Sequence, residues 1–153
     1  MPIKNKKLII YGAGETARVA YEYFTEDSPY RVAAFTAERK FIKKKSIHGL
    51  PVVPFETVTT QYPPNIYDMF VAISYTQRNG VRAKYYALAK KKHYALASYI
   101  SSRACVWRTA TVGDNCFILE NNVIQHGQGI LHRRGWCVRQ GGSASASWQD
   151  GYI

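Results

Sequence analysis

The chain has 153 residues, room for one ordinary domain or two small ones sharing an interface. At 46% hydrophobic, 20% charged and 14% aromatic it is too apolar for a disordered protein, and no stretch approaches the ~20 consecutive apolar residues of a membrane helix. Twenty-one basic against 10 acidic residues give a net charge of +11, which favours anionic partners without choosing among nucleotides, coenzymes, nucleic acid and membrane headgroups.

Met1 to Lys7 runs into a short apolar segment that soon meets Gly12, so no signal peptide is expected. Lys7–Tyr11 is a β-favouring apolar run of the kind expected of a parallel strand buried on both faces. Gly12-Ala13-Gly14 ends it. From Thr16 the apolar residues Ala17, Ala20, Tyr21 and Phe24 recur at helical spacing, and Ser28-Pro29 stops the helix. A second strand, Tyr30–Thr36, completes a strand–helix–strand crossover and implies a doubly wound parallel sheet. Leu50–Val53, bounded by Pro51 and Pro54, reads as an edge strand or extended loop. Tyr62-Pro63-Pro64-Asn65 is a turn, Asp68–Ser74 the next buried strand, and Val81, Tyr85 and Leu88 mark a helix running to Lys90-Lys91-Lys92. Tyr94–Ser98 is read as the last strand of this unit.

Beyond it the period changes. Ile100, Val106, Val112, Ile118, Ile124 and Ile130 stand six residues apart. Two positions before successive aliphatics come Ala104, Ala110, Cys116 and Asn122, a spacing that points both side chains to one strand face. Gly113-Asp114-Asn115 supplies a turn where that face bends, and turn chemistry accounts for Asp114. A six-residue repeat of inward aliphatics with small neighbours is the pattern of a parallel β-helix. The fold expected is therefore α/β: a Rossmann-like parallel sheet over residues 1–98, then the start of a β-helix over 99–130 and an irregular tail over 131–153.

Several residues offer chemistry. Gly12-x-Gly14 ahead of a helix presents backbone N–H groups and a helix N-terminus to a phosphate, or makes only a tight turn; Ala17 stands where the dinucleotide fingerprint has its third glycine. Thr36 to Glu38 end the second strand where a nucleotide ribose would lie, and Ser74 and Tyr75 end another strand at the same carboxyl edge. Arg39, Lys40, Lys43, Lys44 and Lys45 form a basic loop, either solvated or drawing a diphosphate or coenzyme A. His48 and His93 read as surface or packing residues. Cys105, Cys116 and Cys137 cannot all pair and lie far outside any C-x-x-C spacing, so no metal site is expected and a reduced, cytoplasmic setting is.

Taken together, Ile9-Ile10-Tyr11-Gly12-Ala13-Gly14, Ala17-Arg18-Val19, Gly49-Leu50-Pro51-Val52 and the run Ala110 to Ile118 resemble the sugar O- and N-acyltransferases of the sialic acid O-acyltransferase type, over about residues 6 to 125. The resemblance implies a Rossmann-like nucleotide-sugar domain followed by a left-handed β-helix of hexapeptide repeats. It implies acyl transfer from acetyl-CoA to a sugar amine or hydroxyl, with a β-helix histidine as general base, in a homotrimer with active sites between neighbouring helices. It makes Gly12, Ala13, Gly14, Glu15, Thr16 and Arg18, with Thr36, Ser74 and Tyr75, the candidates for holding a nucleotide sugar. This chain has Glu15-Thr16 where the family often has Gly-His, and it lacks the Asn-His-Ile-Gly segment that usually carries the base, so the catalytic residue is open, with His126 and His132 the histidines near the repeat.

From His126 the repeat fades, and the 28 residues to Ile153 hold six of the 11 glycines and two of the three tryptophans. The chain is accordingly expected to be a truncated or frame-shifted member, inactive where the catalytic coils are missing. A non-catalytic nucleotide-sugar-binding module and an NAD-binding Rossmann protein, with Glu38 near the position of the ribose-binding acid, are the alternatives. Nucleic-acid binding has the charge and the 12 tyrosines in its favour but no recognised motif.

Overall fold

The computed structural model describes residues 3–74 and 80–125, together with the backbone of 129–130, 138–139 and 142–143. A five-stranded sheet in the order β3-β4-β2-β1-β5 forms its centre. Strands β1 (Lys6–Tyr11), β2 (Tyr30–Ala37), β4 (Leu50–Pro54) and β5 (Tyr67–Val71) are parallel, and only β3 (Ser46–Ile47) runs antiparallel to its neighbour. Helix α1 (Glu15–Glu26) connects β1 to β2; α2 (Val58–Gln61) and α3 (Gly80–Lys91) flank β5 in sequence.

The apolar run of β1 is buried on both faces, as its lack of alternation requires. Leu8 and Ile10 meet Ala17, Ala20 and Phe24 of α1, while Ile9 and Tyr11 meet Val58 of α2 and Tyr85 and Ala89 of α3. The chain crosses from Tyr11 into α1 on one side of the sheet, whereas β5 pairs with β1 on the other. Strand order therefore reverses at β1, and a crevice opens beyond the carboxyl ends of β1, β2 and β5.

Leu50–Pro54 is not an edge. A hairpin places β3 outside it, through a two-residue turn in which His48 (φ 49°) and Gly49 (φ 75°) both adopt left-handed backbone, the geometry that fits a tight hairpin to twisted strands. Tyr94–Ser98 is not a full strand either: a single parallel bridge joins Leu96 to Met69, with Ala95 and Ala97 exchanging hydrogen bonds with Met69 at 2.9 Å. This short segment covers part of the free edge of β5.

After residue 98 the chain forms short strands in three parallel stacks. In the first, β6 (Tyr99–Ile100), β9 (Phe117–Ile118) and β12 (Val138–Arg139) pair in the order β12-β9-β6. In the second, β7 (Cys105–Val106), β10 (Asn122–Ile124) and β13 (Gly142–Ser143) pair as β13-β10-β7, and in the third β8 (Thr111–Val112) pairs with β11 (Gly129–Ile130). Tyr99 lies beside Phe117, Cys105 beside Val123 and Thr111 beside Gly129, so each pair is 18 residues apart, three hexads. The spacing widens to 21 between Phe117 and Val138 and to 20 between Asn122 and Gly142.

The aliphatic positions do not all point inward. Ile118 and Ile124, in the middle strands of their stacks, are 0% and 1% exposed, but Ile100 is 40% exposed and Val106 and Val112 are half-buried. Ile100, Val106 and Val112 belong to terminal strands, with no strand beyond to cover them among the described residues. The small companions follow suit: Cys116 and Asn122 are buried, Ala104 and Ala110 only half-buried. The side chain of Ile130 lies outside the described residues.

The stacks and the sheet share one core. Phe117 packs 5.6 Å from Phe70 and 5.1 Å from Tyr99, and Phe24 joins them at 5.0 Å from Phe70 and 5.6 Å from Tyr99. Polar contacts tighten the junction. Asp27, just past α1, accepts hydrogen bonds from Tyr99 Oη (2.9 Å) and the Ser102 N–H (2.8 Å). Lys4 Nζ reaches the carbonyls of Phe24, Thr25 and Ser28 and closes the C-terminal end of the same helix. Among the described residues no helix is long and apolar enough to cross a membrane.

Candidate functional site

The crevice at the strand-order reversal has a volume of about 740 Å³. Its floor is Tyr11-Gly12-Ala13-Gly14, its walls are Arg18 of α1, Ala37 and the loop after β2, Ile73 beyond β5, and the first turns of α3. Gly12 and Gly14 differ in what they require. Gly12 has φ +132°, and a Cβ there would lie 2.5 Å from the Ala72 carbonyl oxygen and 3.3 Å from Ala17 Cβ. Gly12 therefore permits the close approach of β1, α1 and the end of β5. Gly14 has no such constraint: its φ is −95° and a Cβ would meet nothing within 4 Å. It is the N-cap of α1 and makes no side-chain capping bond, so a 12-residue helix begins at the crevice floor without a side-chain acceptor on its capping residue.

Charge reinforces this polarity. Arg18, Lys40, Lys43, Lys44 and Lys84 all line the crevice. Glu38, immediately after β2, pairs with Lys40 at 2.8 Å and Lys84 at 3.8 Å, and accepts a 2.6 Å hydrogen bond from Tyr85 Oη. Lys40, followed by Tyr85, holds the Glu38 carboxyl below the usual carboxylate range. Arg18, Lys43 and Lys44 have no carboxylate within ion-pair distance among the described residues, so the crevice concentrates positive potential.

Beneath the charges lies an aromatic layer. Tyr11 stacks on Tyr85 at 4.5 Å, and Phe55 meets Tyr11 edge-on at 4.9 Å. Burial pushes the phenols of Tyr11 and Tyr85 upward, so both are neutral donors at physiological pH. Phe41 stands exposed on the lip, with Lys40 Nζ 4.9 Å from its ring centre. Arg82 is buried behind the wall, donating from Nε (2.9 Å) and Nη2 (2.6 Å) to the Ile73 carbonyl; burial lowers its pKa to about 10, leaving it charged at neutral pH.

Of the residues expected to hold ligand, the structure brings Gly12, Ala13, Gly14 and Arg18 together on the crevice. The basic loop joins them through Lys40, Lys43 and Lys44. Glu15 and Thr16 lie in the first turn of α1 but do not line it. Thr36 is buried, donates to the Val53 carbonyl at 2.9 Å and presents its own carbonyl to the Gly12 N–H, which makes it a sheet residue rather than a wall of the crevice. Ser74 is exposed past β5 and does not line it. Tyr75, His126 and His132 lie outside the described residues. Sequence reasoning passed over Tyr11, Lys84 and Tyr85. Tyr85 reads as core from its spacing alone, and Lys84 joins the site only through the strand order that brings α3 to the crevice. No cluster of His, Cys, Asp and Glu among the described residues could hold a metal ion.

Residues 7–88, more than half of the chain, match the family model described as the PglD N-terminal domain. Among solved structures, the chain is similar to the acetyltransferase domain of PglB from Neisseria gonorrhoeae FA1090, at 24% identity over 82% of this chain and 58% of that one, with a TM-score of 0.66. A structure of that domain in complex with acetyl coenzyme A matches at 23% identity over the same shares, TM-score 0.65. PerB from Caulobacter crescentus, in complex with CoA and GDP-perosamine, matches at 21% identity over 85% of this chain and 59% of that one, TM-score 0.64. The chain thus shares their fold and spans under three fifths of the length of these structures. No curated protein sequence matches it.

Proposed function

This chain belongs to the PglD N-terminal domain family, and from that premise we propose that its crevice holds a nucleotide-linked sugar and that the protein transfers an acetyl group from acetyl-CoA to an amine or hydroxyl of that sugar. The observation that carries the reading is the crevice itself. An uncapped helix N-terminus, two glycines and five cations converge on about 740 Å³ at the strand-order reversal. Backbone N–H groups and mobile cations suit a diphosphate, which is doubly charged and hydrogen-bonds through many oxygens. Gly12 to Gly14 with Arg18 would hold it, Lys43 and Lys44 would close over it, and the exposed face of Phe41 would border the base or sugar.

The CoA and GDP-perosamine of PerB, and the acetyl coenzyme A of the PglB domain, support the choice of donor and of acceptor class. Residues 1–98 are proposed as the nucleotide-sugar unit and 99–130 as the first hexapeptide coils of a left-handed β-helix, which the 18-residue partner spacing supports; residues 131–153 follow as a tail. Homotrimeric assembly and a cytoplasmic setting belong to the same proposal. In the transfer step the sugar amine or hydroxyl attacks the thioester carbonyl, a base takes its proton and the CoA thiol leaves. No described histidine borders the crevice, so His126 and His132 are the side chains to replace first.

All lining residues fall between 11 and 85, so holding a nucleotide sugar asks for nothing beyond them, which keeps a non-catalytic binding module as the second reading. Titration calorimetry with UDP- and GDP-linked amino sugars, alongside a free-thiol assay of acetyl-CoA consumption, separates the two. Binding with release of CoA thiol is the expected result, binding alone selects the module, and no binding overturns both.

A further inference from the structure

Outside the crevice, the turn Gly113-Asp114-Asn115 makes an unusual set of contacts. Asn115 is fully buried, with φ 52° in the left-handed region. Its Oδ1 accepts the Val71 N–H at 2.7 Å and its Nδ2 donates to the Val71 carbonyl at 3.3 Å. One side-chain amide thus pairs with one residue's N–H and C=O on the free edge of β5, two places beyond the bridge that covers Met69. Only an amide supplies a donor and an acceptor at this spacing, and asparagine also tolerates the positive φ. Next to it, Asp114 accepts a 2.8 Å hydrogen bond from Tyr86 Oη and pairs with Lys90, both on α3. Ser98 locks the turn from behind, donating to the Gly113 carbonyl at 2.8 Å and accepting the Cys116 N–H at 2.9 Å.

The two elements held by this turn are those that build one wall of the crevice. Val71 lies beside Tyr11 across the β1–β5 ladder, the following Ala72 presses its carbonyl on Gly12, and Ile73 lines the cavity. From α3, Gly80, Val81, Lys84 and Tyr85 line it. Asn115 does not touch the cavity. We propose that Asn115 is a positioning residue that fixes the β5–α3 wall from the stacked-strand side, so that nucleotide binding in the crevice and closure of the turn at 113–116 are energetically coupled. The inference rests on the nucleotide-sugar reading of the crevice. Coupling of this kind is reciprocal: whatever the turn adds to ligand affinity, ligand returns to the stability of the turn.

The test uses the full chain with UDP and GDP as probes. Asn115→Gly keeps the positive φ available and deletes the amide, and about tenfold weaker binding by calorimetry is expected, at a temperature where circular dichroism shows the variant folded. Asn115→Asp retains the acceptor but not the donor and is expected to fall between. An unchanged dissociation constant with only a lowered melting temperature marks a merely structural residue and overturns the proposal. Should the variants not fold, the wild-type protein carries the test through Cys116, which is buried next to Asn115, while Cys105 is exposed. Saturating probe is expected to slow thiol labelling of Cys116 about fivefold, read by peptide mass spectrometry, and to leave Cys105 unchanged; equal Cys116 rates with and without bound probe overturn the coupling. If the wild type binds neither probe, the nucleotide reading itself fails and the coupling falls with it, a result distinct from binding that ignores Asn115.

Discussion

A methyl group added at Gly12 meets the Ala72 carbonyl oxygen at 2.5 Å, on a backbone at φ +132°. Neither neighbour can yield cheaply, since one is a strand end and the other the first turn of α1. Gly12→Ala is expected to destabilise the fold by about 2–5 kcal/mol, the combined scale of overpacking and forced backbone, measured by denaturant unfolding. Gly14→Ala is expected to cost at most about 1 kcal/mol, the difference between glycine and alanine at an N-cap, because its φ is ordinary and the space around it open. If the crevice takes a diphosphate against the start of α1, a methyl group at this position crowds it, so Gly14→Ala weakens nucleotide binding in a protein that stays folded. A pair of variants thus separates a glycine kept for packing from one kept for ligand approach. Sequence alone presents the two as one Gly-x-Gly motif, since φ and the distance to Ala72 arise only when β5 closes against β1.

The junction between α1 and the stacks depends on Asp27. Burial raises its pKa, but hydrogen bonds from Ser102, Tyr99 and Ser101 outweigh that and hold the carboxyl below its usual value. A depressed folded pKa contributes stability above the unfolded value of about 4, and that contribution disappears as pH falls through the folded value. Asp27→Asn is therefore expected to flatten the acid limb of the stability–pH curve and to loosen residues 99–102, read by amide hydrogen exchange. Elements with a strong period were legible: β1, α1 and β2 stand within a residue or so of their expected bounds at most ends, because buried strands and amphipathic helices write themselves into consecutive side chains. Elements that depend on a neighbour were not. A two-residue β3 carries no period, and it exists because His48 and Gly49 take positive φ and fold it onto β4. Residues 94–98 look like a strand but make, among the described residues, a single bridge to β5. The six-residue aliphatic repeat located the stacked strands, while burial of each aliphatic depended on its rank in the stack, which left Ile100 exposed. Arg82 carried no signal and Asn115 only that of a turn, since each acts on a backbone group that the sequence does not place beside it.

At the scale of the molecule, Phe24, Phe70, Tyr99 and Phe117 make one aromatic cluster from helix, sheet and stacks. Phe117→Ala is expected to cost about 3–5 kcal/mol. The loss should appear as one cooperative transition followed by both circular dichroism and tyrosine fluorescence; two separated transitions would mean that sheet and stacks melt independently. The crevice was only partly legible at this scale: its glycines and basic loop stood out, whereas its α3 wall needed the strand order β2-β1-β5 to bring residue 84 beside residue 12. The pairing at a distance of 18 residues has a consequence for how this part of the chain tolerates change. Stacks of two-residue strands keep count: losing one residue between 101 and 116 turns every later rung by one place, driving Ile118 and Ile124 outward and bringing polar neighbours into their seats. Duplicating one full 18-residue round instead returns each side chain to an equivalent seat, so whole storeys are the simplest way to lengthen this column, while the 20- and 21-residue spacings of the next pairs mark where added residues are taken up between strands.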